Sequence, residues 1–124
     1  MLNDLARISL ACLPTPLHDL ERLSRTLRGP RIWVKRDDLT GLALGGNKAR
    51  KLEYLIADAL QRKATTVITA GAGQSNHARQ TAAAAARYGL RCILALGGMA
   101  SPALAGNLLL DRLFGAHLRW AGDR

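Results

Sequence analysis

A parallel β-sheet with flanking helices, the α/β class, is the fold this sequence predicts, and three observations carry it. Short β-branched runs alternate with helical runs through most of the chain. Glycines mark the joints between those runs, as at Gly71–Gly73 and Gly97–Gly98. The hydrophobic content of 48% beside 22% charged residues, in 124 residues, suits a single compact core.

The elements follow in order. Pro14, Pro16, Gly29 and Pro30 disfavour regular structure at both ends of the lead-in segment, leaving room for a short helix through Leu17, Leu20, Leu23 and Leu27. Ile32, Trp33 and Val34 read as a short strand, and Arg36 to Asn47, with two acids and three glycines, as a long loop ending on Asn47 as helix N-cap. From Lys48 to Ala64, Leu52, Leu55, Ile56, Ala59 and Leu60 recur at three- and four-residue intervals and predict an amphipathic helix. Thr65 to Ala70 predicts a strand, Asn76 to Tyr88 an alanine-rich helix, and Arg91 to Leu96 the next strand. Pro102 can open a third helix to about Leu113, Gly115 closes it, and His117 to Trp120 begins another strand. No covering helix follows, so the fold is expected to stop in mid-pattern, with its C-terminal half missing.

The formal charge of +9 comes from 18 Lys and Arg against 9 Asp and Glu. These cations are scattered between apolar positions rather than gathered in a run, which describes a solvated, Arg-rich surface better than a nucleic-acid interface. Aromatic content is 4%, and no groove-reading motif or basic helix accompanies the charge. Cys12 and Cys92 stand far apart with no metal-ligand spacing, a usage that fits the reducing cytosol. No signal-peptide pattern opens the chain and no apolar stretch is long enough to span a bilayer, so a cytoplasmic protein without metal or membrane is expected.

Two stretches could do chemistry. In Gly45-Gly46-Asn47-Lys48-Ala49-Arg50-Lys51 the glycines let backbone approach a ligand, and Lys48 falls in the first turn of a helix. The positive end of a helix disfavours an ammonium group, and a neutral amine is the form that attacks an aldehyde. An ordinary surface lysine at a helix start is the competing interpretation. The second stretch, Gly71-Ala72-Gly73-Gln74-Ser75-Asn76-His77, follows a strand and opens a helix, where backbone N–H groups suit a carboxylate or phosphate. A plain turn capped by Ser75 or Asn76 competes with it. A dinucleotide fingerprint fails, because Asn76 occupies the place of its last glycine and no acid lies between Leu90 and Ala100. A Walker loop fails too, because Asn47 separates Gly46 from Lys48 and Ala49 stands where a hydroxyl is needed.

Together, Lys35-Arg36-Asp37-Asp38, Gly45-Gly46-Asn47-Lys48 with Arg50-Lys51-Leu52-Glu53, and Gln74-Ser75-Asn76-His77-Ala78-Arg79-Gln80-Thr81-Ala82 resemble the D-cysteine desulfhydrase and 1-aminocyclopropane-1-carboxylate (ACC) deaminase family. Pro14-Thr15-Pro16-Leu17 and Gly106-Asn107-Leu108-Leu109-Leu110-Asp111 are similar to flanking parts of it. The resemblance implies the N-terminal portion of a fold-type-II, tryptophan-synthase-β-like enzyme that uses pyridoxal 5'-phosphate (PLP). It implies that residues 1–48 open the large cofactor domain and 49–124 form a small α/β domain, incomplete at its C-terminal end. By the same resemblance Lys48, after Asn47, carries the cofactor. Asn76 hydrogen-bonds its phenolic oxygen, and Ser75 handles a proton near the substrate carboxylate, with Gln74 and His77 on the substrate side. His77 and Thr81 tilt the expected activity toward D-cysteine desulfhydrase, with ACC deaminase as the alternative. The family's phosphate-binding loop, ring-nitrogen partner and later tyrosines would lie beyond residue 124. The chain alone is therefore expected to be inactive, and the whole protein a homodimer acting on a small amino acid. Two readings from other classes stand beside this one: a non-catalytic remnant and a basic nucleic-acid-binding module.

Overall fold

The computed structural model describes residues 5–100 and 103–122. Three parallel strands, β3 (Thr66–Ala72), β4 (Arg91–Gly97) and β5 (His117–Trp120), form one sheet in the order β3-β4-β5. Helix α3 (Asn76–Arg87) connects the first pair and α4 (Asn107–Leu113) the second, which gives the expected α/β alternation. The side-chain alternation along β4 assigns the faces. Cys92, Leu94 and Leu96 are buried beneath α3 and α4, while Ile93 and Ala95 on the other face are half-buried. That second face, with Ile68, His117 and Arg119, is the more open one.

Helix α3 is buried along most of its length because its side chains are small. Ala78, Ala82 and Ala85 meet Leu94, Leu96 and Leu108, while Ala84 meets Leu52 and Ile56 of α2 (Lys48–Gln61) and Leu10 of the lead-in segment. Each fully buried leucine or isoleucine here contributes about 1.5–3 kcal/mol over leaving it exposed. Glu53 of α2 is buried with them and fully satisfied. It accepts the N–H groups of Leu10 and Ala11 at 2.9 and 3.0 Å and Arg7 Nε at 2.6 Å, fixing the lead-in segment to the helix. Burial alone would push its carboxyl up, but those donors and the charge of Arg7 hold it below the ordinary value.

The remaining strands, β1 (Leu17–Asp19) and β2 (Trp33–Lys35), form a separate antiparallel pair around α1 (Glu21–Leu27). The helix predicted through Leu17 is thus shorter. Leu17 to Asp19 pair with Lys35 to Trp33, and the helix starts only at Glu21 with no buried residue. The long loop contains two short 3-10 turns, Asp37–Leu39 and Leu42–Leu44. Asn47 stands at the N-cap position, but its backbone is already right-handed helical and its side chain makes no capping bond. The expected start of the third helix at Pro102 lies outside the described residues. Ala103 to Ala105 are not helical, and α4 begins after Gly106, whose φ of +56° no helix continues through. No helix among the described residues is long and apolar enough to cross a membrane.

Candidate functional site

The Gly45–Gly46 loop is held against α3 by contacts that span more than thirty residues of sequence. The Gly45 carbonyl accepts Arg79 Nη2 at 2.9 Å and Gln80 Nε2 at 2.8 Å, both from buried side chains. On the other side the Gly46 N–H donates to the Asp37 carbonyl at 2.8 Å and to the hydroxyl of buried Thr40 at 2.9 Å. Glycine is required at both positions. A Cβ on Gly45, at φ +75°, would stand 1.9 Å from the Asp38 carbonyl oxygen, and one on Gly46, at φ +130°, 2.3 Å from Gln80 Nε2.

Arg50 and Asp37 lock the base of this loop. The guanidinium forks onto the carboxylate at 2.7 and 2.6 Å, and Thr15 Oγ1 donates to the same carboxylate at 3.0 Å. The Arg50 hydrogen bonds outweigh partial burial and, with Thr15, hold the Asp37 carboxyl down to about 2. A depressed carboxyl stabilises the fold above its unfolded value, and that stabilisation is lost as pH falls through the depressed one. Asp37→Asn is therefore expected to lower the urea midpoint at neutral pH. It should also flatten the wild-type loss of stability between pH 3.8 and about 2, as followed by circular dichroism.

Arg79 continues the network to the β3–α3 turn. Its Nη1 donates to Asn76 Oδ1 and to Asn107 Oδ1, both at 2.9 Å, and Asn107 Nδ2 donates to Asn76 Oδ1 at 3.0 Å. The carbonyl oxygen of the Asn76 amide is thereby doubly occupied, which leaves its NH2 end to donate elsewhere. Ser75 caps α3, its Oγ accepting the Ala78 N–H at 3.2 Å, so its own hydroxyl hydrogen stays free to donate. Gly71 makes room for it, since a Cβ there would meet Ser75 Cβ and Oγ at 2.8 Å.

The predicted site residues fall into two groups. Lys48 is half-buried in the first turn of α2 with no hydrogen bond or ion pair among the described residues, whereas Lys51 is exposed one turn on. Lys48 stands three residues after Gly45, whose carbonyl is held by Arg79 and Gln80 of α3, and the ring of His77 is pushed below the ordinary histidine value first by burial, then by the charges of Lys51 and Lys48. Lys48, Ser75 and Asn76 therefore belong to neighbouring segments, while Asn47 is exposed beside them. Gln74 has both amide ends in use, donating to the Ala105 carbonyl at 3.1 Å and accepting the Asn107 N–H at 2.8 Å. His77 Nε2 lies 3.1 Å from Thr69 Oγ1, and its ring lines a cleft of about 220 Å³ between α2 and β3, with Leu52, Leu55, Ile56, Thr69 and Thr81. Sequence reasoning gave no role to Arg79, Gln80, Thr40 or Asn107. The available signal was a charged and an amide residue set immediately before the alanine face of α3.

A free amine, a fixed amide donor and a free hydroxyl beside a glycine loop suit an aldehyde cofactor with a phenolic oxygen, and the comparisons with known proteins point the same way. A D-cysteine desulfhydrase of Salmonella paratyphi B is 54% identical over 117 residues, which cover 90% of this chain and 35% of that protein. The crystal structure of an ACC deaminase homologue superposes with a TM-score of 0.90 at 46% identity, over 99% of this chain and 37% of that one. A PLP-dependent aspartate racemase, at 22% identity and a TM-score of 0.69 over 87% of this chain and 33% of that one, shares the fold. The chain spans about a third of the length of the curated relatives it matches. With residues 8–124 matching the model of that family, the chain belongs to the pyridoxal-phosphate dependent enzymes.

Proposed function

We propose that this chain carries the lysine side of the active site of a PLP-dependent lyase whose substrate is a small amino acid, D-cysteine first. The carrying observation is the Arg79 network, which leaves the Asn76 NH2 to donate elsewhere from the turn whose His77 feels the charge of the unpaired Lys48 amine. When bound, PLP supplies an electron sink for the bond to be broken. Lys48 would hold the cofactor through its amine, and the same amine is the group that would take the α-proton. Asn76 donates to the phenolic oxygen, and Ser75 donates to the substrate carboxylate and carries a proton. Asn47 sets Lys48 at the helix start, and Gln74 and His77 shape the substrate side, Gln74 by holding the Ala105–Asn107 turn in place.

For D-cysteine the balance is D-cysteine plus water to pyruvate, hydrogen sulfide and ammonia. By the family resemblance His77 and Thr81 favour the desulfhydrase reading, and a desulfhydrase is among the relatives. Deamination of the cyclopropane substrate is the second reading, favoured by the solved ACC deaminase homologue. The same proposal places residues 1–48 in the opening of a large cofactor domain and 49–124 in a small α/β domain, and makes the whole protein a cytoplasmic homodimer with no nucleic-acid partner.

The deciding experiment supplies purified whole protein with PLP and either substrate. D-cysteine is expected to yield equal amounts of sulfide and pyruvate, with visible absorbance from bound cofactor. Release of 2-oxobutanoate from the cyclopropane substrate without sulfide from D-cysteine would transfer the assignment to the deaminase reading. No visible absorbance at saturating PLP would remove the cofactor reading itself.

A further inference from the structure

Gln80, on α3, is fully buried, and its amide makes a single hydrogen bond among the described residues: Nε2 donates to the Gly45 carbonyl at 2.8 Å. Its Oε1 is buried with no hydrogen-bond partner. A half-satisfied amide is a costly way to fill a core, because methionine or leucine would occupy much the same volume with no polar atom to desolvate. The loop, rather than packing, therefore accounts for the amide. Arg79 shares the same carbonyl but also holds Asn76 and Asn107, so Gln80 is the donor given to the loop alone. The fit is close, since a Cβ on Gly46 would stand 2.3 Å from Gln80 Nε2.

From the loop the constraint passes to Lys48 through the main chain. The Gly46 carbonyl accepts the Thr40 hydroxyl at 2.9 Å and the Ala49 N–H at 3.4 Å, and Ala49 is the next residue after Lys48 in the first turn of α2. Ser75 and Asn76 begin the same helix, α3, that carries Gln80. We propose that Gln80 is a positioning residue for Lys48: its amide fixes the Gly45–Gly46 loop to α3 and so sets where the lysine turn stands relative to Ser75 and Asn76. Its significance for the cofactor rests on the function proposed above.

The test compares the whole wild-type protein with Gln80→Met and Gln80→Leu at neutral pH. Hydrogen exchange is read by mass spectrometry without ligand, and PLP is titrated by its visible absorbance. Both variants are expected to unfold at the wild-type temperature or above, since an unpartnered buried oxygen leaves together with the hydrogen bond. Exchange in residues 45–49 should nevertheless rise about three- to tenfold, the range for one neutral hydrogen bond, while exchange in residues 91–97 stays unchanged. PLP should bind more weakly by a similar factor. A purely structural role gives the opposite pattern, a lower unfolding temperature with exchange raised in both segments. That pattern, or unchanged exchange in residues 45–49 in both variants, overturns the assignment, and so does raised exchange there with wild-type PLP affinity. Failure of the wild type to bind PLP would count against the cofactor reading, and exchange alone would then decide for or against the hold of Gln80 on the lysine turn.

Discussion

Lys48→Ala in the whole protein is expected to abolish borohydride-fixable cofactor and to lower turnover at least about a thousandfold, the scale on which loss of a covalent participant acts. Lys51→Ala is expected to keep fixable cofactor. Geometry separates the two lysines. Lys48 is half-buried, unpaired and in the first turn beside Asn47, whereas Lys51 is exposed to solvent one turn on. Both charges reach His77, so electrostatics alone would not distinguish them. Peptide mapping after reduction gives the answer, and a label on the Lys51 side chain with Lys48 unmodified would reverse the assignment.

Gly45→Ala is expected to destabilise the fold by about 3–5 kcal/mol and to remove PLP binding with it. Two costs add. A left-handed backbone is unfavourable for alanine by about 1 kcal/mol, and the new methyl would stand 1.9 Å from a backbone carbonyl oxygen that belongs to the Asp37–Leu39 turn. Relieving that clash pulls the Gly45 carbonyl away from Arg79 and Gln80. Gly89→Ala is the internal control. It has a similar φ of +67° but open space around it, so it should cost only the backbone penalty, and urea titrations of the two variants should differ accordingly. Equal midpoints would mean that the loop accommodates the methyl.

Those two positions also show what local sequence can carry. Gly45 and Gly46 announce a tight turn before a helix, and the apolar spacing from Leu52 to Leu60 announces the helix, because both signals act between residues a few places apart. Strand β5 was equally legible, running from His117 to Trp120 as predicted. The leucines from Leu17 to Leu27 carry helical spacing yet lie at the surface, with Leu17 57% exposed. What decides their structure is pairing with Trp33–Lys35, sixteen residues on in the chain. Gly106, too, stops α4 from extending back toward Pro102 through a backbone angle that no composition rule reveals. In the candidate site, the stretches that hold Lys48, Ser75 and Asn76 stand out as sequence motifs. The Arg79 grip on Gly45 does not, since it joins positions 34 residues apart and takes its meaning from burial.

The alanines of α3 act as a gauge. With Ala84 against Leu52 and Ile56 on one side and Ala82 and Ala85 in the core beneath the sheet on the other, the thickness of the helix sets the distance from α2 to β3 and β4. Lys48 rides on α2, and Ser75 and Asn76 begin α3, so the gap between amine, hydroxyl and amide is measured out in methyl groups. One added methylene at Ala82, Ala84 or Ala85 costs about 1–3 kcal/mol of overpacking, and it also moves the lysine. The spacing of the candidate site is thus set by small apolar residues that take no part in it.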